Sequence, residues 1–221
     1  MALAPHPAVR TVRRSGRDAA VGRRVSTVHC AALPTDRDRM QISAHRLVGV
    51  RQVPSPNADA RPAGVQPELV VVHGISLPPG RFGGRDVECL FTNTLETARD
   101  ERYASLEGVH VSSHLLIHRS GACVQFVPFD ARAWHAGVSS WQGRERCNDY
   151  SIGIELEGTD ETPYSDAQYA VLAAVVRALR TAYPAIGAEA LVGHADIAPG
   201  RKTDPGPYFD WARVRDGLGE V

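Results

Sequence analysis

Lysine is almost missing from this chain: Lys202 stands alone beside 24 arginines. Net charge is missing as well. Lys plus Arg and Asp plus Glu number 25 each, so no global field draws the protein to nucleic acid or to an anionic membrane. The cysteines, Cys30, Cys89, Cys123 and Cys147, form no C-x-x-C pair and show no zinc-knuckle or disulfide-framework spacing. They read as buried or incidental thiols of a reducing compartment. No apolar run approaches the ~20 residues that span a bilayer, so no membrane helix is expected. No apolar stretch follows Arg13-Arg14, and Arg23-Arg24 interrupts the only candidate, which argues against a twin-arginine signal. An Arg-rich, acid-poor start is also the composition of a transit peptide. A cytoplasmic location is the expectation. Internal repeats are absent.

The charge that is present is unevenly placed. Residues 1–39 carry eight Arg and three Asp with no Lys or Glu, a local +5 that leaves −5 on the rest. An anionic ligand must therefore be held by local cations or by a metal. Residues 1–39 also lack hydrophobic periodicity. They read as a disordered extension, or as the product of a start assigned too far upstream, because Met40 stands where the composition changes. Residues 40–221 suffice for one folded domain with a sizeable core.

Residues 51–68, rich in Pro, Ala and polar side chains, read as an ordered or semi-ordered lead-in loop. Leu69–His73 is a short β-branched run typical of a buried strand, ended by Gly74 and the Pro/Gly clusters beyond it. His114–His118 and Cys123–Val127 flank Ser120-Gly121 and predict a hairpin. Ser151–Leu156 alternates with period two, so Ile152 and Ile154 share one face and Ser151, Gly153 and Glu155 the other. Ser165 and Gln168 predict a capping box for a helix that Pro184 stops. Ala190–Gly193 predicts a last strand, and Asp210 a cap for a helix over Trp211–Gly217. Strands and helices interleave without strict alternation. The expected class is α/β (α+β): a mixed central β-sheet flanked by helices, with a site at strand ends.

Nine histidines is generous for this length. His6, His29 and His45 read as exposed bystanders, and His110, His114 and His118 as surface or packing residues. His73 and His194 differ. Each ends a predicted strand and borders a glycine, where rigid elements position side chains and loops leave access. Two neutral imidazoles begin a metal site but need a third ligand, and HADIAPGRKTDPGP offers Asp196 and Asp204. A His/His/carboxylate set with an open fourth position suits catalysis better than a structural site. Lys202 lies two residues before Asp204. Arginine would serve equally for solubility, whereas lysine is a compact donor whose pKa can be shifted. Glu155 is either a general base facing a cleft or a solvent-facing strand residue. Trp134 and Trp141 supply aromatic faces in a loop, as sugar platforms or as core. Arg144 and Arg146 can clamp a carboxylate, or Arg146 can pair with Glu145 or Asp149.

Four segments carry a family resemblance: VVHGISLPPGRFGG, the S-x-H of Ser112–His114, RAWHAGVSSWQGRERCNDYSIGIELEGTD and VGHADIAPGRKTDPGP. Together they resemble the AmpD-type 1,6-anhydro-N-acetylmuramyl-L-alanine amidases, relatives of T7-type lysozyme and peptidoglycan-recognition proteins. The resemblance runs from about Val50 to the end. It implies Zn2+, one per chain, on His73, His194 and Asp204, with Glu155 and Lys202 catalytic. It also implies Arg146 as a binder of peptide carboxylate and Trp134 and Ala198 as lining residues. The implied substrate is a small muropeptide, cut between the (1,6-anhydro-)N-acetylmuramic acid and L-alanine by a monomer that binds neither nucleic acid nor membrane. Gly74 departs from an Asn common in the family, and His110 from an expected Arg. The competing expectations are an endolysin-like amidase acting on intact wall, a non-catalytic muropeptide-binding module, and a structural zinc.

Overall fold

A computed structural model of the chain describes residues 40–220. The expectations for residues 1–39 lie outside them. Six strands form one sheet: β1 (Arg51–Gln52), β2 (Leu69–Ile75), β3 (Leu115–Ile117), β4 (Cys123–Gln125), β5 (Ser151–Glu157) and β6 (Leu191–Gly193). Their spatial order is β6-β2-β5-β3-β4-β1. The β3–β4 pair is antiparallel and the other neighbours run parallel, so the sheet is mixed, as expected. The central strands are buried on both faces, which is why β2 is a continuous β-branched run.

Helix α2 (Asp166–Ala182) lies across one face. The predicted capping box forms: Gln168 N–H donates to Ser165 Oγ (3.2 Å), and Ser165 N–H to Gln168 Oε1 (3.0 Å). Gln168 also donates from Nε2 to the carbonyls of Ile117 and Glu157, tying the helix start to the ends of β3 and β5. Val171, Leu172, Val175, Val176 and Leu179 pack on Val70, Val72, Ile152, Ile154 and Leu156. Each such side chain stabilises by roughly 1.5–3 kcal/mol on burial, so Leu172→Ala would cost about 2–5 kcal/mol. Helix α4 (Trp211–Leu218), capped by Asp210 as predicted, packs beside α2.

The opposite face carries the predicted odd-numbered set of β5. Leu116 and Val124 build a second, smaller core there with α1 (Asp86–Phe91). Parallel pairing sets Glu155 beside His73 and Gly153 beside Val71. On the other side of β2, Gly193 pairs with Val72, and the chain turns at once into α3 (His194–Ile197). His194 therefore opens a helix rather than ending a strand. The lead-in is ordered and carries two short strands that its composition did not announce. Arg51–Gln52 adds the edge strand, and Ala58–Ala60 pairs antiparallel with Ala131–Ala133. Two- and three-residue strands between prolines are too short to display a period.

Candidate active site

Register brings two of the candidate residues together, and a loop brings the third. His73 at the end of β2 and His194 at the start of α3 are 2% and 3% exposed. The Asp204 carbonyl accepts from the amide of Ala195 (2.9 Å), folding the Pro/Gly-rich loop back on α3. Nδ1 of His73 then lies 2.9 Å from Nδ1 of His194 and 3.2 Å from Oδ2 of Asp204. The third edge, His194 Nδ1 to Asp204 Oδ2, is 3.1 Å. It is the one group of three or more such donors among the described residues.

The triangle fits a divalent cation. Tetrahedral bonds of about 2.0–2.1 Å place ligand atoms roughly 3.3 Å apart, close to these edges. Charge agrees with geometry. Burial holds His73 down to about 4, against a weaker upward pull from Asp204, so its imidazole is neutral at pH 7. Burial alone would raise Asp204, but the contacts of His194 and His73 outweigh it and hold the carboxyl well below its usual range. A neutral imidazole and a carboxylate thus aim at one point, so a His73–Asp204 ion pair is not the natural reading of the contact. His194 Nε2 lies 3.2 Å from the carbonyl of Ala136, which can only accept. The proton is therefore on Nε2 and the lone pair on Nδ1, facing the triangle.

Glu155 is 8% exposed, and its Oε2 is buried with no hydrogen-bond partner. Burial first, and the charge of Asp204 second, push its pKa well above the usual carboxyl range, with Lys202 opposing. A buried carboxyl without a partner is costly, and it faces a cavity of about 200 Å³ shared with His73, His194, Lys202, Asp204 and Trp134. Glu157, on the same strand face, is fully engaged. It accepts from the amides of Gly83 (2.5 Å) and Arg119 (3.1 Å) and sits 3.3 Å from His118.

The remaining candidates divide. Asp196 does not join the triangle. It accepts from the amide of Gly193 (2.7 Å) and lines a separate cavity of about 630 Å³ with Trp211 and Arg215. Arg146 and Ala198 line a groove of about 580 Å³ with Gly137, Val138 and Arg201. Arg146 takes a left-handed backbone conformation and also pairs with Asp149 at 3.0 Å. Arg144 is committed to Glu68 and to the face of Tyr150. His110 is exposed.

Two contacts with the ligand set went unnoticed in the sequence. His135 Nδ1 lies 2.9 Å from His73 Nε2, and Tyr164 Oη donates to the carbonyl of Pro205 (2.9 Å), next to Asp204. Both left a signal in glycines within a strand, which mark close approach. A Cβ on Gly153 would meet the His135 ring at 2.5 Å, and one on Gly74 would meet the Tyr164 hydroxyl at 2.4 Å.

A sequence profile described as N-acetylmuramoyl-L-alanine amidase matches residues 63–207. The 1,6-anhydro-N-acetylmuramyl-L-alanine amidase AmpD of Escherichia coli K12 is 62% identical over 169 residues, 76% of this chain and 92% of that protein. The crystal structure of a selenomethionine AmpD derivative gives a TM-score of 0.79 at 58% identity, covering 81% of this chain and 99% of that one. The complex of AmiD from Escherichia coli with anhydro-N-acetylmuramic acid-L-Ala-D-γ-Glu-L-Lys gives 0.50 at 32% identity, covering 71% and 60%. Because the profile spans the strands of His73 and Glu155 and the Asp204 loop, and the match runs through 92% of a relative, this chain belongs to the N-acetylmuramoyl-L-alanine amidase family.

Proposed function

We propose that the chain is a zinc hydrolase that cuts the amide between 1,6-anhydro-N-acetylmuramic acid and L-alanine in soluble muropeptides, as a step of peptidoglycan recycling. The observation that carries this is the convergence of three lone pairs beside a buried carboxyl with an unpartnered oxygen. The substrate follows from the activity named for AmpD and from the anhydromuramyl peptide bound by AmiD. A cytoplasmic monomer fits this role, and the free thiols of Cys89, Cys123 and Cys147 suit a reducing compartment. No helix among the described residues is long and apolar enough to cross a membrane.

His73, His194 and Asp204 would hold the metal, which would supply a Lewis acid and lower the pKa of a water there towards ~7. Glu155 takes a proton from the attacking water as the new C–O bond forms at the lactyl carbonyl. Lys202, on the same cavity, donates to the developing oxyanion, an interaction worth roughly 3 kcal/mol in comparable sites. Glu155 then returns its proton to the nitrogen of L-alanine as the C–N bond breaks. The products are a muramic carboxylate and a free peptide amine. Arg146 and Ala198 border the groove where the stem peptide lies, and Trp134 walls the reaction cavity.

Hydrolysis of purified anhydro-muramyl-tripeptide, with and without chelator, tests this on a sample whose zinc is also measured. Release of free tripeptide that chelator abolishes, at about one zinc per chain, is the expected result. Faster release from whole sacculi than from the soluble fragment would move the substrate to intact wall. No release by folded, zinc-loaded protein would overturn the enzyme reading in favour of a binding module.

A further inference from the structure

A neutral imidazole presents Nδ1 to a metal only when its proton sits on Nε2, a tautomer that an acceptor at Nε2 favours. The triangle holds two such imidazoles, and consecutive residues of one loop meet both. The carbonyl of Ala136 stands 3.2 Å from His194 Nε2. Nδ1 of His135 stands 2.9 Å from His73 Nε2. We infer that His135-Ala136 is the positioning element of the metal centre, selecting the tautomer of both ligand histidines. The inference rests on the metal reading given above.

The Ala136 half is settled by chemistry, since a carbonyl has no proton to give. The direction at His135 follows from the metal reading, which puts the His73 proton on Nε2 and requires a lone pair on His135 Nδ1. His135 Nε2 lies 3.1 Å from Ser151 Oγ, which can accept. A proton on His135 Nε2 leaves Nδ1 as a lone pair, ready for the Nε2–H of His73. Two bonds then run one way, from His73 to His135 to Ser151, and His73 Nδ1 is freed for the metal. Without His135, the His73 proton can move to Nδ1, where Asp204 Oδ2 at 3.2 Å would accept it and compete with a cation.

The dipeptide is itself held from three sides. Asn148 Oδ1 accepts from the amides of His135 (3.2 Å) and Ala136 (2.8 Å). Arg201 donates to the carbonyls of Ala136 and Val138, both at 2.6 Å. The His135 ring lies in the space that a side chain at Gly153 would fill. Gly137 and Val138, next along the loop, line the groove beside Arg146, so one loop touches both the groove and the metal ligands.

The test is zinc affinity by competition with a chromophoric chelator, together with the visible spectrum of the cobalt-substituted protein. His135→Ala should weaken zinc binding by about 10–100-fold and alter the cobalt bands. His135→Asn should recover most of the affinity, because its Oδ1 can accept the bond that Nδ1 accepted. Unchanged affinity and spectrum in His135→Ala would overturn the inference, as would failure of Asn to rescue. Imidazole nitrogen shifts in the zinc-loaded wild-type protein need no variant. Nε2–H tautomers at His73, His194 and His135 are expected, and a His135 proton on Nδ1 overturns the scheme. A wild-type chain that takes up no metal would instead overturn the metal reading, and this inference with it.

Discussion

Glu155 and Glu157 leave the same face of β5 two residues apart, and both are buried, at 8% and 3% exposure. Their surroundings are opposite. Burial would raise Glu157 too, but His118 and the amides of Gly83 and Arg119 outweigh it and hold its pKa below the usual value. Glu155 has one oxygen with no partner, and burial, reinforced by the charge of Asp204, raises its pKa against the weaker opposing pull of Lys202. One carboxylate is spent on joining the Gly83 loop and the Arg119 turn to the sheet. The other keeps its proton affinity, beside three converging ligand atoms. Burial alone does not mark a catalytic acid or base. Burial with an unanswered hydrogen-bonding atom, in a cavity shared with three converging ligand atoms, is the combination found at Glu155.

The largest expected effect separates the two by turnover. Glu155→Gln should lower kcat on anhydro-muramyl-tripeptide by about 10²–10⁴-fold with zinc still bound. Glu157→Gln, once folded, should stay near wild type. Equal losses at the two positions, measured on samples of matched zinc content, would break the comparison. Lys202→Ala should follow with a loss of about 10²–10³-fold. Lys202→Arg separates charge from shape: a planar guanidinium on a longer stem should restore little if a compact donor is required. Full activity in Lys202→Arg would reduce Lys202 to a positive charge.

Stability should move the other way. Glu157→Gln keeps one acceptor and turns an amide group towards the other buried donor, a loss of about 1–3 kcal/mol. In metal-free protein near neutral pH, Glu155→Gln should stabilise, because it removes a group that the cavity forces either to take up a proton on folding or to carry a disfavoured charge. Denaturant midpoints of the two variants beside wild type, all stripped of metal, give both signs at once. A destabilised Glu155→Gln would mean that the carboxyl answers a structural need.

Much of this site was legible beforehand because it lies in regular elements and near marked loops. Period-two alternation put Glu155 with Gly153 and apart from Ile152 and Ile154, and the structure keeps that division. Ser165, Gln168 and Asp210 cap the helices expected of them, since capping is local chemistry. The residue pattern left Asp196 and Asp204 open, and only the resemblance pointed to Asp204. Both follow His194 closely, and only the fold shows Asp196 turned back to cap Gly193 while Asp204 returns to the triangle. His135 was passed over for the same reason: its contact with His73 spans 62 residues and depends on β2, β5 and a loop arriving together. The strand pattern left Glu155 between a general base and a solvent-facing strand residue, and only the resemblance named it catalytic. The residues that engage its neighbour Glu157, Gly83, His118 and Arg119, come from distant segments.

The smallest effect is the sharpest, because it compares one substitution at two positions through their pH dependence. Glu157 has a folded pKa below its unfolded value near 4.5, so the unfolded chain binds the proton first on acidification. Its contribution is present above pH ~4.5 and is lost as pH falls through the folded pKa, so the penalty of Glu157→Gln should shrink in acid. Glu155 has the reverse shift. Its folded form binds the proton more tightly, so its contribution is full below ~4.5 and is lost as pH rises towards the folded pKa. The gain from Glu155→Gln should therefore grow as pH rises. His73 and His114, held by burial to about 4 and about 3, impose a common decline below ~6.5, where the unfolded chain takes up protons that they refuse. That background is shared by wild type and both variants, so it cancels in the differences. A Glu157→Gln penalty that shrinks below pH ~4.5 and a Glu155→Gln gain that grows above it, measured by denaturant titration of metal-free protein from pH ~3 to ~8, are the expected outcome. Parallel slopes would mean that the two glutamates feel one environment, and the contrast between them would not stand.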